Sequence, residues 1–402
     1  MSYFIFIFKS ALFDFSRNKG RTVLTSLGIL IGVLSVILLV AFGLGLKKYI
    51  SDQFESLGTN LLRVLPGQLL QNGSFKAGAS SLGTIRFDEK DLITLRRLKE
   101  LEAVVPVFSK SVSVTIGKDT ANGDLYATSA DIFKALNLKI GDGEAFTKTD
   151  NEKRAKVVTI GPKIAEKLFG TASDAVGRSL KIDGQSFKVR GVLEAKGGGG
   201  FGGPDYDNFV YMPYKTGYVF NTDKKFLAII IKSTSEGNVS EAKLAVTQAL
   251  LKRYKADDFS VLEQTEILGA ISSIFTILNT VLIAIAAISL VVGGIGIMNI
   301  MYVTVTERIK EIGVRRALGA RRNDILFQFL IESVILSLFG GLLGLLLAGL
   351  IVFFIQRFFP AYINLESVLL ALGVSSGIGI VFGVFPAKKA AELSPIEAIR
   401  YE

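Results

Sequence analysis

The most distinctive spacing of charged and apolar residues lies between Glu307 and Arg322. Glu311 and Arg315 are four residues apart, in the order that favours an ion pair on one face of a helix. Apolar residues recur through the same segment: Ile309, Ile312 and Leu318. This combination is typical of a short surface helix that ends at Gly319 and binds the groove of a partner protein. A solvated loop that faces lipid is the alternative.

The sequence offers little support for a catalytic function. The chain has no cysteine and no histidine, which excludes disulfides, thiol catalysis and the usual zinc sites. It also lacks a G-x-x-x-x-G-K-[ST] loop, so we predict no ATP hydrolysis by this chain alone. Gly197 to Gly203 contains G-x-G-x-x-G, but Pro204 follows where a helix should receive a pyrophosphate, and a flexible loop fits better. We therefore predict that the chain is not an enzyme and has no catalytic, cofactor-binding or metal-binding residue.

The charged segment lies between two apolar stretches that are long enough to cross a bilayer, which takes about 20 residues. No charged residue occurs between Glu266 and Glu307, and the stretch that follows Asp324 carries only Glu332 up to its end. The predicted spans are residues 22–46, residues 266–306 including a stalk extension, residues 325–356 and residues 367–387. We predict four transmembrane helices, one before and three after a polar insert at residues 47–265.

Lysine and arginine near the helix ends predict the orientation, because they are retained on the cytoplasmic side. They are concentrated before the first span and in residues 307–324. We therefore predict that both termini and this segment are cytoplasmic and that the insert is outside. These flanks carry much of the net charge of +10, so anionic lipid explains it better than nucleic acid. Residues 1–21 are predicted to form an amphipathic helix, and in residues 388–402 a capping box at Ser394 starts a short helix.

The insert is long enough for two subdomains. Residue alternation predicts strands at Ser111–Ile116 and Phe226–Ile231, and a hairpin at Ser179–Leu193 that turns at Asp183 and Gly184. Predicted helices run from an Asp88 cap to Leu98 and from a Ser240 cap to Tyr254. The predicted fold class is thus a membrane α-helical protein with four transmembrane helices, arranged one and three, and a large mixed α/β extracytoplasmic domain.

Small residues spaced by four allow helices to pack closely within a membrane. Such pairs occur in every predicted span: Gly28 and Gly32, Ser289 and Gly293, Gly340 and Gly344, Gly373 and Gly377, Gly379 and Gly383. We predict that most of them pack within one subunit and that one or two form a dimer seam. Glu332 is predicted to be structural or interfacial rather than part of a proton relay, because the other spans offer no further ionisable residues.

Three stretches of the chain resemble the permeases of the MacB type, within the FtsX-like and lipoprotein-releasing group of ABC transporters. They are Arg17-Asn-Lys-Gly-Arg-Thr through Gly32, Glu307 through Glu332, and Phe385-Pro-Ala-Lys-Lys-Ala through Tyr401. Residues 156–193, with Ile160-Gly-Pro and Leu168-Phe-Gly, also look like the periplasmic core domain of that family. The resemblance covers nearly the whole chain.

The resemblance implies two permease subunits, identical or different, that assemble with two ATPase subunits holding ATP and magnesium. No ATPase domain is fused here, so the ATPase is expected on a separate polypeptide. Residues implied to couple to it are Glu307, Arg308, Glu311, Ile312, Arg315, Arg316, Leu318, Gly319, Arg321 and Arg322. The first two helices are expected to extend outside as a stalk that moves the external domain, a mechanism called mechanotransmission.

The implied function is efflux of drugs, peptides or other periplasmic substrates, by a multi-pass protein of the cell (inner) membrane. The alternatives are a lipoprotein-releasing permease and a non-transporting activator of a cell-wall hydrolase. Membrane lipid and a periplasmic adaptor are further expected partners. Nothing in the insert names a substrate.

Overall fold

The computed structural model describes residues 19–58, 60–71, 74–75, 87–197, 205–395 and 398. Within this part of the chain, residues up to Tyr49 and from Ile274 form a helical unit, and Ile50–Ser273 form an α/β unit. The predicted N-terminal amphipathic helix lies almost wholly outside the described residues, as do most of the glycine-rich loop and Glu397 of the predicted capping box. In the tail, the Ala398 amide donates to the Ser394 carbonyl (2.9 Å), which is one helical turn.

Among the described residues, five helices lie wholly or partly in the helical unit. They are α1 (Lys19–Leu57), α8 (Gln264–Glu307), α9 (Ile309–Ala317), α10 (Arg322–Ile355) and α11 (Leu365–Glu392). Among the described residues, four are long and apolar enough to cross a membrane: α1, α8, α10 and α11. The predicted arrangement of one helix and then three is confirmed.

All four membrane helices extend beyond the spans predicted for them, α1 and α11 by the most residues. Residues 22–46 were predicted for α1, which continues to Leu57. Lys47 and Lys48 end the apolar run but not the helix, because glycine and proline are absent until Gly58, whose φ of +108° ends it. Similarly, α11 exceeds residues 367–387, because Asn364 caps it by accepting a hydrogen bond from the Ser367 amide (2.9 Å). Hydropathy therefore locates an apolar span but not the ends of its helix.

Glycines of α1 and α10 lie at close helix crossings. A Cβ on Gly28 would lie 2.9 Å from Cα of Gly293, and one on Gly340 would lie 2.9 Å from the Ser26 carbonyl oxygen. Similar contacts involve Gly32 with Leu290 of α8, and Gly344 with the Leu30 carbonyl. Any larger residue at these positions would force the helices apart.

Gly373 and Gly377 do not lie at one of these crossings, and their role in helix packing stays a prediction. A Cβ at either position would meet no described atom within 4 Å. On the same helix, Gly379 and Gly383 lie against Ser337 and Ser333 of α10. Four-residue spacing thus identifies a helix face but does not tell which of two such faces is packed.

The α/β unit is built on a ten-stranded sheet. Its strands are β1 (Leu61–Pro66), β4 (Leu101–Ile116), β5 (Asp119–Thr128), β6 (Ile140–Gly143), β7 (Val157–Ile160), β8 (Ser179–Ile182), β9 (Gln185–Leu193), β10 (Phe209–Pro213), β11 (Ala228–Ser233) and β12 (Phe259–Glu263). The order is β12-β1-β11-β4-β5-β10-β7-β9-β6, and β8 pairs with β4 and β9. A separate hairpin consists of β2 (Leu70–Gln71) and β3 (Ser74–Phe75).

Alternating apolar residues give this sheet two buried faces. Leu62, Val64, Ile229 and Ile231 belong to one hydrophobic cluster. Their neighbours Leu61 and Ile230 belong to another, together with Tyr211 and Phe133. The two clusters thus lie on opposite faces of one sheet, and the division into two subdomains stays a prediction.

Short helices cover these faces: α2 (Glu89–Leu95), α3 (Asp131–Ala135), α4 (Lys148–Glu152), α5 (Pro162–Phe169), α6 (Ala172–Ala175) and α7 (Val239–Leu251). The hairpin of β8 and β9 is confirmed, with positive φ at Asp183 (44°) and Gly184 (83°). Asp88 caps α2 as predicted, but α2 ends at Leu95 rather than Leu98. The N-cap of α7 is Asn238 rather than Ser240, and α7 ends three residues before Tyr254. Element ends depend on local hydrogen bonds that hydrophobic spacing does not report.

Candidate functional site

The short charged helix α9 connects α8 to α10. Arg308 (φ −107°) separates it from α8, and Gly319 (φ +102°) ends it in the left-handed conformation that glycine adopts readily. The Asp324 carboxylate then accepts a hydrogen bond from the Arg321 amide (2.9 Å) at the start of α10. The predicted surface helix and its end at Gly319 are confirmed.

An ion-pair network stabilises α9. Arg315 Nη2 lies 2.5 Å from Glu311 Oε1, which confirms the predicted pair, and Arg308 Nε lies 2.9 Å from Glu311 Oε2. Burial alone would raise the pKa of Glu311, but hydrogen bonds and positive charge from Arg308 and Arg315 outweigh it and lower this pKa below its usual value. Glu311 therefore remains ionised at neutral pH and holds both arginines.

The same two arginines bind side chains of α10. Arg308 Nη1 lies 3.4 Å from each carboxylate oxygen of Glu332, which is 5% exposed. Arg315 Nη1 donates to Gln328 Oε1 (2.6 Å), and Gln328 Nε2 donates to Glu332 Oε1 (3.2 Å). Helix α9 is therefore tied to the second and third turns of α10, and the structural interpretation of Glu332 fits these contacts.

Sequence reasoning missed Gln328. Its spacing of four residues from Glu332 places both side chains on one face of α10, and they are the two large polar residues of an otherwise apolar run. That pattern could have been matched with the arginines of the neighbouring charged segment.

Ile312 faces the protein's own core rather than solvent, and its predicted part in coupling to the ATPase stays a prediction. Ile312 is 2% exposed, and it lies in a hydrophobic cluster with Ile325 and Phe329 of α10. Ile309 is also buried. A helix that connects two packed helices needs an apolar face of its own, and these isoleucines supply it.

A different set of α9 residues faces outward. Leu318 is 84% exposed and Val314 is 50% exposed, four residues apart on one face. The same segment has further exposed polar and glycine residues: Glu307, Lys310, Glu311, Gly319, Arg321 and Arg322. Arg315 and Arg316 are partly buried. Val314 and Lys310 were not predicted: their spacing of four places them on one helix face, but spacing does not tell which face is exposed.

A second charged cluster lies in the α/β unit. Arg253 Nη1 contacts Asp91 and lies 2.9 Å from Asp88 Oδ1, while the Tyr254 hydroxyl donates to Asp91 Oδ2 (2.8 Å). Asp88 also caps α2 by accepting from the Lys90 amide (2.9 Å). Every group in the cluster has a protein partner, so the cluster fastens α2 to the end of α7. Across the described residues, no three acidic, histidine or cysteine residues are arranged to hold a metal ion.

This cluster predicts a pH-dependent stability. The hydrogen bond from Arg253 holds the pKa of Asp88 well below its usual range. The stabilisation is therefore complete above the unfolded pKa of about 3.9 and is lost as pH falls through the lower folded pKa. We expect Asp88→Asn, which keeps the cap, to lower the melting temperature of the purified chain at pH 7 and to lower it less at pH 3. Asp119→Asn at an exposed position is the control; an equal deficit at both pH values would contradict the prediction.

Comparison with known proteins covers almost all of the chain. Residues 22–249 match the MacB-like periplasmic core domain, and residues 268–395 match the FtsX-like permease C-terminal region. The first match covers part of α1 and most of the α/β unit, and it ends before β12. The second contains α9 and all of α10 and α11.

Full-length relatives are longer than this chain. It is 37% identical over 397 residues to the macrolide export ATP-binding/permease protein MacB of Wolinella succinogenes, covering 98% of this chain and 60% of the relative. The corresponding protein of Bdellovibrio bacteriovorus is 36% identical over 397 residues, covering 96% of this chain and 60% of the relative. Among solved structures, the periplasmic region of MacB from Actinobacillus actinomycetemcomitans covers 56% of this chain and 97% of its own, with 21% identity and a TM-score of 0.46.

Proposed function

Because the chain belongs to the MacB-like and FtsX-like permease family of ABC transporters, we propose that it couples ATP hydrolysis by a partner ATPase to movement of its α/β unit. The observation that supports this most directly is the exposed face of α9. Val314 and Leu318 offer an apolar pair there, with Lys310, Arg321 and Arg322 nearby. An apolar groove rimmed by carboxylates is the matching surface on the ATPase.

The contacts of α9 support the proposal that a force on α9 is transmitted to α10 rather than absorbed by bending of α9 alone. Ile312 is buried in a cluster with α10 residues, and the arginines at 308 and 315 bind Glu332 and Gln328. A force applied to Leu318 therefore acts on α10 as well. Two helices continue from the helical unit into the α/β unit: α1 through Ile50–Leu57, and α8 from Gln264 to Ser273. We propose that they carry the displacement, as in mechanotransmission.

The substrate proposal rests on the relatives. Because both are named macrolide export proteins, we propose export of macrolides or similarly amphipathic molecules. The test is to express the chain with its copurifying ATPase in a macrolide-sensitive host and to measure susceptibility. Resistance that requires the permease supports export. Copurification of a cell-wall hydrolase, without any change in susceptibility, would instead support the signalling alternative.

Topology gives a further prediction. We propose a cell-membrane location with cytoplasmic termini, a cytoplasmic α9 and an α/β unit outside the cytoplasm. Since the chain has no cysteine, a single introduced thiol reports its own side. Lys118→Cys, at an exposed turn before β5, should react with a membrane-impermeant maleimide in cells with a permeable outer layer, whereas Asn323→Cys should react only after lysis. The reverse pattern would refute the orientation.

A further inference from the structure

Three backbone carbonyls converge on the side chain of Lys196. Its Nζ donates to the carbonyls of Ser56 (3.1 Å), Leu136 and Asn137 (3.2 Å). Ser56 lies in the last turn of α1, and the other two residues directly follow α3. Carbonyls at a helix end lack intrahelical partners and carry partial negative charge, so a cation is favoured there. An ammonium has three N–H donors, and each has a carbonyl partner here.

The backbone of Lys196 is itself fixed to the sheet. The amides of Lys196 and Gly197 donate to the two oxygens of Asp207, at 2.8 and 3.0 Å. Asp207 is 5% exposed and lies two residues before β10. Lys196 follows the end of β9 by three residues. Its ammonium therefore connects the end of α1 to α3 and to two strands of the sheet.

The covalent route from α1 to the sheet is less constrained. The chain leaves α1 at Gly58, whose φ of +108° is one that glycine adopts readily. Asn60 is then held by a hydrogen bond from its Nδ2 to the Ser233 carbonyl (2.6 Å) before β1 begins. A connection through one glycine allows the helix to pivot. A second attachment away from that glycine holds the last turn of α1 to the residues that follow α3.

We propose that Lys196 is the joint that makes the last turn of α1 move together with the sheet of the α/β unit. This inference rests on the proposed function, in which α1 carries displacement. Lys196 is a positioning residue in this scheme, because it acts through α1. Arginine is a poor substitute in this role, since its planar group does not point three donors at one small cluster of carbonyls.

The effect of Lys196 on the last turn of α1 can be measured on the permease alone. We expect Lys196→Met to speed hydrogen exchange of the amides at residues 53–58 about tenfold, the effect of losing hydrogen bonds to a charged group. Lys163→Met is the matched control, because Lys163 forms an exposed ion pair with Asp205 in the same unit (2.8 Å). Lys196→Arg should give an intermediate rate. Exchange in Lys196→Met that equals the native rate would overturn the joint.

The mechanical part is measured in the complex with the ATPase. Spin labels are placed singly at Asp52→Cys on α1 or Lys134→Cys on α3, both exposed, and the distance between the labels of two subunits is recorded with and without ATP. In the native background both distances should shift. With Lys196→Met the shift at residue 52 should remain and the shift at residue 134 should be lost, whereas Lys163→Met should keep both.

The outcomes distinguish failure of the Lys196 joint from failure of the proposed function. If both labels still shift in Lys196→Met, the joint is refuted and the proposed function survives. If neither label shifts in the native complex, transmission fails and the role of Lys196 fails with it. If Lys196→Met folds poorly, Lys196→Arg serves instead. A smaller shift at residue 134 with an unchanged shift at residue 52 supports the joint. Shifts at both residues equal to those of the native protein refute it.

Discussion

Leu318→Glu should abolish stimulation of ATP hydrolysis by the permease while leaving the helical unit folded. Leu318 is 84% exposed, so the change removes little from the protein's own core. In a complex the same side chain would lie at the centre of the docking surface, where truncation of an anchor residue costs about 2 kcal/mol or more, over tenfold in affinity. A buried carboxylate facing acidic groups costs more.

The measurement is association with the ATPase and its permease-dependent turnover, in membranes with confirmed insertion. Leu244→Glu is the control, because Leu244 is 63% exposed on α7 of the α/β unit and far along the chain from α9. It should leave both quantities unchanged. Native association together with native turnover in Leu318→Glu would show that the ATPase docks elsewhere.

Glu332→Ala should destabilise the permease far more than Glu311→Ala. Both carboxylates bind Arg308, but the Glu332 side chain is 6% exposed and that of Glu311 is 42% exposed. After Glu332 is removed, the mostly buried Arg308 keeps only the exposed Glu311 as a partner, so the change should cost up to about 3 kcal/mol, whereas an exposed pair contributes less than about 1 kcal/mol. The melting temperature of the detergent-solubilised permease should therefore fall clearly only in Glu332→Ala.

A double replacement completes this experiment. Arg308→Met with Glu332→Met leaves no unpaired charge and should recover part of the lost stability. ATPase stimulation should remain impaired in the double variant, because the ion pair between residue 308 and α10 is gone. Equal melting temperatures for the two single variants would mean that the pair of Arg308 and Glu332 contributes no more than a surface contact.

The sequence was sufficient for the membrane architecture and for the position of α9. Uncharged runs are long compared with a bilayer, so their number and order are readable without tertiary information. Pairing of Glu311 with Arg315 was also predictable, since it depends only on helical spacing. The exposed side of α9 was not predictable, because the isoleucines and the pair of Val314 and Leu318 are both apolar. Which of them is buried depends on α10, which lies later in the chain.

The Lys196 contacts could not have been predicted either. They join residues 56, 136 and 196, and single-sequence patterns carry no information on such distances. Asp207 and Lys196 flank a glycine-rich stretch that suggested only flexibility. For the same reason, the sequence could not show that Gly379 and Gly383, rather than Gly373 and Gly377, pack against α10. Both pairs have the same spacing on α11.

The sheet order has a consequence for how the protein is made. Strand β1 pairs with β11 on one side and with β12 on the other. Both edges of β1 therefore stay unpaired until the last two strands of the unit have been synthesised. At the usual speed of protein synthesis this delay is on the order of ten seconds, and pairing between such distant segments adds slow loop closure. The nascent chain therefore exposes an apolar strand with two open edges during translocation, which makes a holding chaperone advantageous until β12 has emerged.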